Sequence, residues 1–162
     1  MYSKILLPLD GSDLSREAIS HAKELALAIK APIALVQVID SEEQLISQSS
    51  GITIEPMAMG EVTVDAARAA VAAQREAATK NLEAAKADLV AAGIEVEIVI
   101  REGHPGDEIV EAVEAVGADA VVIATHGRTG FRRAILGSVA DHVARHTPTA
   151  SVILIKPVKD KK

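Results

Sequence analysis

Apolar residues along this chain alternate between short solid runs and longer spaced stripes. Ile5, Leu6, Leu7 and Leu9 form a run that stops at Asp10-Gly11-Ser12. A continuous run of that length, ended by turn residues, predicts a strand covered on both faces. From Asp13 to Lys30 the period changes: Leu14, Ala18, Ala22, Leu25 and Ile29 recur at steps of three and four behind Ser12 and Asp13, either of which can cap a helix. Pro32 then opens a second run, Ile33 to Ile39, rich in β-branched residues and closed by Asp40. Strand, helix, strand is the βαβ unit of a parallel sheet.

Residues 40 to 60 break the pattern, carrying Ser, Gln, Gly, Pro and Met without a clear period. An irregular stretch of that length is expected to serve as a flap or lid. Glu61 to Ala92 is rich in Ala, with Val71, Ala78, Leu82, Ala85 and Leu89 on one stripe and Gly93 where a helix would end. Its roughly heptad spacing also fits a coiled coil, but no repeat continues beyond it, which favours a helix lying on a sheet. Ile94 to Ile100 alternates apolar residues with Glu95 and Glu97, as an edge strand does. The turn Gly103 to Gly106 leads to a helix carrying Ile109, Val110, Val113 and Val116, with Pro105 suited to its first turn. Ala118 to Ala124 reads as the most apolar strand, 125 to 136 as a loop with Gly and Arg, Gly137 to His146 as a helix and Ser151 to Ile155 as a final strand. Five strands alternating with four helices predict an α/β fold: a parallel sheet with helices on both faces, joined by right-handed crossovers.

Composition narrows the function classes. With 162 residues the chain fits one domain spanning 1–162 around one core. Aromatic residues make up only 1% and the net charge is -6. The chain lacks stacking platforms and repels a phosphate backbone, so no nucleic-acid partner is expected. Without cysteine there is no disulfide, thiolate metal site or Cys nucleophile, and a reduced, cytoplasmic setting fits best. The run Ile5 to Leu9 is interrupted by Pro8 and is far too short for a signal peptide or membrane span, so no membrane association is expected.

Open parallel sheets bind ligands beyond the strand carboxyl ends, where the strand order reverses. Two segments fall at such ends: Pro8-Leu9-Asp10-Gly11-Ser12 and Ala124-Thr125-His126-Gly127-Arg128-Thr129-Gly130. The second runs on to Gly137-Ser138, and Ser138 with Asp141 has the spacing of a capping box at a helix start. The free N–H groups and positive dipole end of a first turn attract anions, and glycines let phosphate oxygens approach the main chain. Arg128, Arg132 and Arg133 could add charge, although glycines, a cap and solvated arginines also occur at ordinary βα junctions. Neither G-x-x-x-x-G-K-[ST] nor G-x-G-x-x-G is present.

These segments resemble the ATP-binding branch of the universal stress protein family, whose signature is Gly, two residues, Gly, nine residues, then Gly-Ser or Gly-Thr. Gly127, the nine residues 128 to 136 and Gly137-Ser138 match it, and the likeness extends over nearly the whole chain: Asp10-Gly11-Ser12, Gly103-His104-Pro105 and Thr147-Pro148 fit as well. Residues 40 to 60 have no counterpart. The family's first glycine falls on Ala124, the smallest replacement and one tolerated at negative φ, so weakened or unchanged binding is expected rather than loss.

The resemblance implies a Rossmann-like nucleotide-binding sheet of order 3-2-1-4-5 with ATP as ligand. It implies contacts from Pro8, Leu9, Asp10 and Gly11, adenine at the backbone around Val38, ribose near Ala124, and phosphates held by Gly127, Arg128, Gly137, Ser138 and Val139. Asp10 would touch the ribose or a water bound to Mg or Mn, against the plainer reading that it caps a turn. A regulatory or stress-response binding module with an unknown protein partner follows. The alternatives are an enzyme, at most a slow ATPase, since no positioned base is visible, and a ligand-free chaperone-like dimer.

His142 and His146 have the i, i+4 spacing of a metal clamp, but without a third ligand they read better as surface histidines favoured by a helix carboxyl end. His104 and His126 are candidates for the pocket rim. The apolar strand 151–155 is an edge that a homodimer would cover, unless the basic tail 156–162 protects it.

Overall fold

A computed structural model describes residues 1–49, 60–125 and 137–156. Ten elements follow in order: β1 (Ile5–Pro8), α1 (Asp13–Ile29), β2 (Ile33–Ile39), α2 (Glu42–Ser49), α3 (Gly60–Ala91), β3 (Val96–Glu102), α4 (Pro105–Val116), β4 (Ala120–Ala124), α5 (Ser138–His146) and β5 (Ser151–Ile155). The strands form one sheet of order β3-β2-β1-β4-β5, the order implied by the sequence. All pairings are parallel, with Ile5 opposite both Ile33 and Ala120.

Alternate residues of β1 and β2 serve different cores, because successive side chains of a strand point to opposite faces. Ile5, Leu7, Leu9, Ile33 and Leu35 pack with Ala18, Ala22, Ala26, Leu82 and Leu89 under α1 and α3. Leu6, Ala34 and Val36 pack with Ile109, Ala112, Val113, Ala140 and Val143 under α4 and α5. The helices between β1, β2 and β3 therefore lie on one face, and those leading to and from β4 on the other. The long stripe of α3 rests on β2 and β3, which settles it as a sheet-covering helix. At the start of the central pair, the Asp119 carboxylate accepts hydrogen bonds from Ser3 N–H, Ser3 Oγ–H and Lys4 N–H. Burial opposes its ionisation, but the Ser3 and Lys4 donors outweigh that and hold its pKa below the usual carboxylate range.

Four expectations shift. A fifth helix, α2, occupies part of the segment expected to be irregular; Ser41 and Gln44 form a reciprocal capping box, with Gln44 N–H to Ser41 Oγ at 3.2 Å and Ser41 N–H to Gln44 Oε1 at 2.8 Å. Residues 50–59 lie outside the described residues. The inner stripe of α1 is Ser15, Ala18, Ala22 and Ala26, with Leu14, Leu25 and Ile29 half-buried at its flanks, because the smallest side chains take the line of closest approach to the sheet. β3 and β4 each begin two residues later than expected. Ile94 and Ala118 instead close the preceding helices, through Ile94 N–H to Leu89 O and Ala118 N–H to Val113 O. Helix α5 starts at Ser138 and its N-cap is Gly137, so the box of Ser138 and Asp141 does not form; the Asp141 carboxylate is taken by Arg145 Nε at 2.9 Å.

Leu82 is fully buried where α3 meets the sheet. Leu82→Ala is expected to cost about 2–5 kcal/mol of folding stability, through lost burial and the cavity left behind. Urea denaturation checks it: a loss under about 1 kcal/mol would mean that α3 contributes little to the core.

Candidate functional site

The chain leaves β1 toward one face of the sheet and leaves β4 toward the other, so the carboxyl ends of these neighbouring strands open onto a cleft. Its volume is about 310 Å³, at the lower end of ligand pockets, which run from roughly 300 to 1,000 Å³. The floor and sides are mostly apolar: Pro8 and Leu9 from β1 and its end, Val36 and Val38 from β2, Ile123 and Ala124 from β4, and Pro105 and Ile109 from the first turns of α4. Polar groups sit at Asp10, Ser15, Thr125, Gly137 and Ser138.

Three local devices build this shape. Leu9 N–H donates to Val36 O at 2.8 Å, carrying the sheet pairing one step past β1. Gly11 then turns the chain with φ +80°, a conformation that costs an L side chain but not glycine. Ser12 caps α1, its Oγ accepting from Ser15 N–H at 3.2 Å, while Asp10 Oδ1 accepts from Ser12 N–H at 2.9 Å. Asp10 thus makes the turn expected of the plainer reading, and that bond leaves Oδ2 without a hydrogen bond among the described residues.

At the other lip, Thr125 N–H donates to Ile155 O at 2.9 Å, and Gly137 N–H donates to Thr125 O at 2.6 Å. This second bond brings the start of α5 back onto the end of β4, across residues 126–136, which lie outside the described residues. Gly137 is extended, with φ -58° and ψ 146°, and supplies no side chain to the cap. The first-turn N–H groups of α5 therefore face the cleft without a capping side chain, the arrangement in which a helix start accepts an anion.

Of the predicted site residues, Pro8, Leu9, Asp10, Val38, Ala124, Gly137, Ser138 and Val139 all line this one cleft. Gly11 shapes the turn beside it without lining it. Gly127 and Arg128 lie outside the described residues, as do His126, Arg132 and Arg133. His104 is the N-cap of α4 but is not part of the lining; its Nδ1 lies 3.1 Å from Gln44 Nε2. His142 and His146 stack with ring centroids 4.2 Å apart, and His142 Nε2 is 2.9 Å from Asp107 Oδ1. Sequence reasoning missed Ser15, Val36, Pro105, Ile109, Ile123, Thr125 and Ala140. The apolar ones among these carried no signal beyond that of core positions, and their place at the strand and helix ends, where core becomes cleft, is visible only in three dimensions.

Comparison with known proteins follows the same outline. The model of the universal stress protein family matches residues 1–156. Universal stress protein MJ0531 of Methanocaldococcus jannaschii is 31% identical over 160 residues, covering 99% of this chain and 86% of its own. The solved structure of MJ0577, from the same organism, superposes with a TM-score of 0.78 at 28% identity, covering 99% of each chain. More distant folds include an Arabidopsis thaliana family member solved with AMP bound, at 18% identity, TM-score 0.62 and coverage of 98% of this chain and 94% of its own. Another is a universal stress protein in complex with cAMP, at 22% identity, TM-score 0.63 and coverage of 96% and 97%.

Gly11 meets nothing within 4 Å where a Cβ would stand, so backbone strain alone decides a substitution there. Gly11→Ala is expected to cost about 1–2 kcal/mol of stability, read by thermal or chemical denaturation. A neutral result would show that the turn relaxes to negative φ.

Proposed function

The chain belongs to the universal stress protein family, and from that premise we propose that its cleft binds an adenine nucleotide, ATP in particular, as the ligand of a regulatory module in the stress response. The observation that carries the reading is the pairing, within one cleft, of an apolar slot with a helix start capped by a glycine. The slot, between Val36, Val38, Pro105 and Ile109, suits a flat base held by dispersion and burial. The first turn of α5, entered through Gly137, Ser138 and Val139, suits phosphate oxygens. The AMP and cAMP bound by distant relatives support the adenine part of the reading.

Ala124 lies between the two ends and faces the ribose, with Asp10 on the opposite lip. The free lone pairs of Asp10 suit a ribose hydroxyl or a water on a magnesium or manganese ion that also meets phosphate, since a hard oxygen-ligand site of that kind needs one or two carboxylates. Gly127 and Arg128 complete the phosphate contacts. No group among the described lining residues is paired as a nucleophile and base, so the reading is of a binding module first and at most a slow ATPase. The whole chain acts as a single domain that responds to the nucleotide and passes the response to a protein partner.

Two measurements test this. Nucleotide released by denaturing the purified protein is identified, and ATP with magnesium is titrated calorimetrically into wild type and Gly137→Val. Stoichiometric binding by wild type is expected, with a loss of at least about tenfold, or ~1.4 kcal/mol, in the variant, whose branched side chain crowds the phosphate end. No released nucleotide and no heat at millimolar ATP would replace this reading with a ligand-free dimer.

The half-buried Val152, Ile153 and Leu154 at the free edge of β5 also support a homodimer through that strand. Sedimentation should show a dimer for wild type and a monomer for Ile153→Lys; a wild-type monomer at high concentration would remove this part of the proposal.

A further inference from the structure

We infer that His142 is a positioning residue that sets the width of the cleft, by acting as a rigid spacer between α4 and α5. The inference rests on the nucleotide reading of that cleft. Two of the cleft walls are the first turns of these neighbouring helices, Pro105 and Ile109 on α4 and Val139 and Ala140 on α5. One turn past the lining residues of α5, the His142 side chain lies directly against Gly106 in the first turn of α4. A Cβ added at Gly106 would stand 2.8 Å from His142 Cδ2, 2.9 Å from Cγ and 3.2 Å from Cβ.

Gly106 has no positive φ, so its backbone does not require glycine; what requires it is the approach of the imidazole. Inside a helix glycine is a poorer residue than alanine, and the position trades helix stability for closeness. The ring itself is held on several sides. Its Nε2 is 2.9 Å from Asp107 Oδ1, the His146 ring stacks on it at 4.2 Å, and His146 Nδ1 lies 2.8 Å from the His142 carbonyl oxygen. The first turn of α4 is held from elsewhere too, through the 3.1 Å contact of His104 Nδ1 with Gln44 Nε2 on α2. A group inserted between ring and glycine therefore moves the helices rather than a loose side chain.

The nearest atoms, Cβ and Cγ, are the root of the side chain and cannot swing clear by a change in the outer torsion alone. Restoring ordinary contact opens the gap by roughly 0.5–1 Å, and a gap of that size forfeits a quarter to a half of the attraction between a wall and the ligand it touches. The loss falls on the apolar slot, at a distance from any polar contact.

The test is a double-mutant cycle on the full chain with Gly106→Ala, His142→Ala and both together, each confirmed folded by its melting curve. Two readouts are used: calorimetric ATP affinity, and the methyl resonances of Ile109, Ala124 and Val139 in the nucleotide-free protein. Gly106→Ala is expected to weaken ATP about fivefold or more and to shift all three methyl groups, while the double variant, with the ring gone, returns to within about twofold of His142→Ala. Should Gly106→Ala not fold, His142→Ala alone still reads the spacer, since it adds no bulk and is expected to shift the same methyl groups.

Methyl groups that stay in place in both single variants would overturn the inference, as would a double variant no better than Gly106→Ala. The methyl readout needs no ligand. A wild type that binds no ATP but shows the expected shifts would sink the nucleotide reading and leave the spacer standing, whereas normal ATP binding with unmoved methyl groups would do the reverse.

Discussion

A parallel sheet has to be covered on both faces, and the rest of this molecule depends on how β1 meets that demand. Its neighbours on both sides are parallel strands, and its side chains feed two separate cores, Ile5 and Leu7 toward α1 and α3 and Leu6 toward α4 and α5. Right-handed crossovers then leave little choice. The chain winds outward through α1 and α3 on one face, recrosses through α4, and winds outward again through α5 on the other. Between β1 and β4 the following helices part company, and neither covers the strand ends. The cleft is what remains, and its apolar floor is the end of the same strands whose middles form the core.

That origin accounts for the chemistry available there. Strands buried on both faces consist of Val, Ile, Leu and Ala, so their ends can offer little except apolar surface and backbone. Polarity has to enter from the turns that follow, at Asp10 and Ser12 after β1 and at Gly137 and Ser138 after β4. Asp10 serves two ends at once: one carboxylate oxygen closes its own turn and the other is left to the cleft. The α5 start is fixed by backbone bonds alone, through Thr125 to Ile155 and Gly137. A site assembled from main-chain groups and one carboxylate is suited to holding a ligand and has little means of moving its protons.

The same division explains what could be read from the sequence. Strand existence, helix existence and sheet order were legible because each rests on periodicity over many residues. Boundaries were not, since β3 is positioned by its pairing with β2, Ile33 opposite Val96, and by the bond from Ile94 to Leu89 that ends α3. Helix α2 escaped notice because eight residues with half-buried faces show no period, although the capping box of Ser41 and Gln44 was in plain view. The box at Ser138 had the right spacing and failed because Arg145, four residues past Asp141, competes for its carboxylate. At the site, glycines and the aspartate were legible from turn chemistry, while Val36, Pro105, Ile109 and Ile123 were indistinguishable from core until the strand ends were placed.

The near absence of aromatic residues has a further consequence for the site. With 1% aromatic residues, the interior is filled by small and branched side chains, and the helices come close to the sheet along lines of alanine such as Ala18, Ala22 and Ala26. Spacing between elements is then fixed by Cβ atoms and backbone rather than by large, adaptable side chains, and close-packed interiors pass small displacements on instead of absorbing them. In such an interior one methyl group is a sizeable change. Ala124 adds one at the floor of the cleft, and Gly106 withholds one between its walls. The first narrows the site from within and the second permits α4 to close on α5, so the shape presented to a ligand depends on the two smallest residues as much as on the polar groups around it.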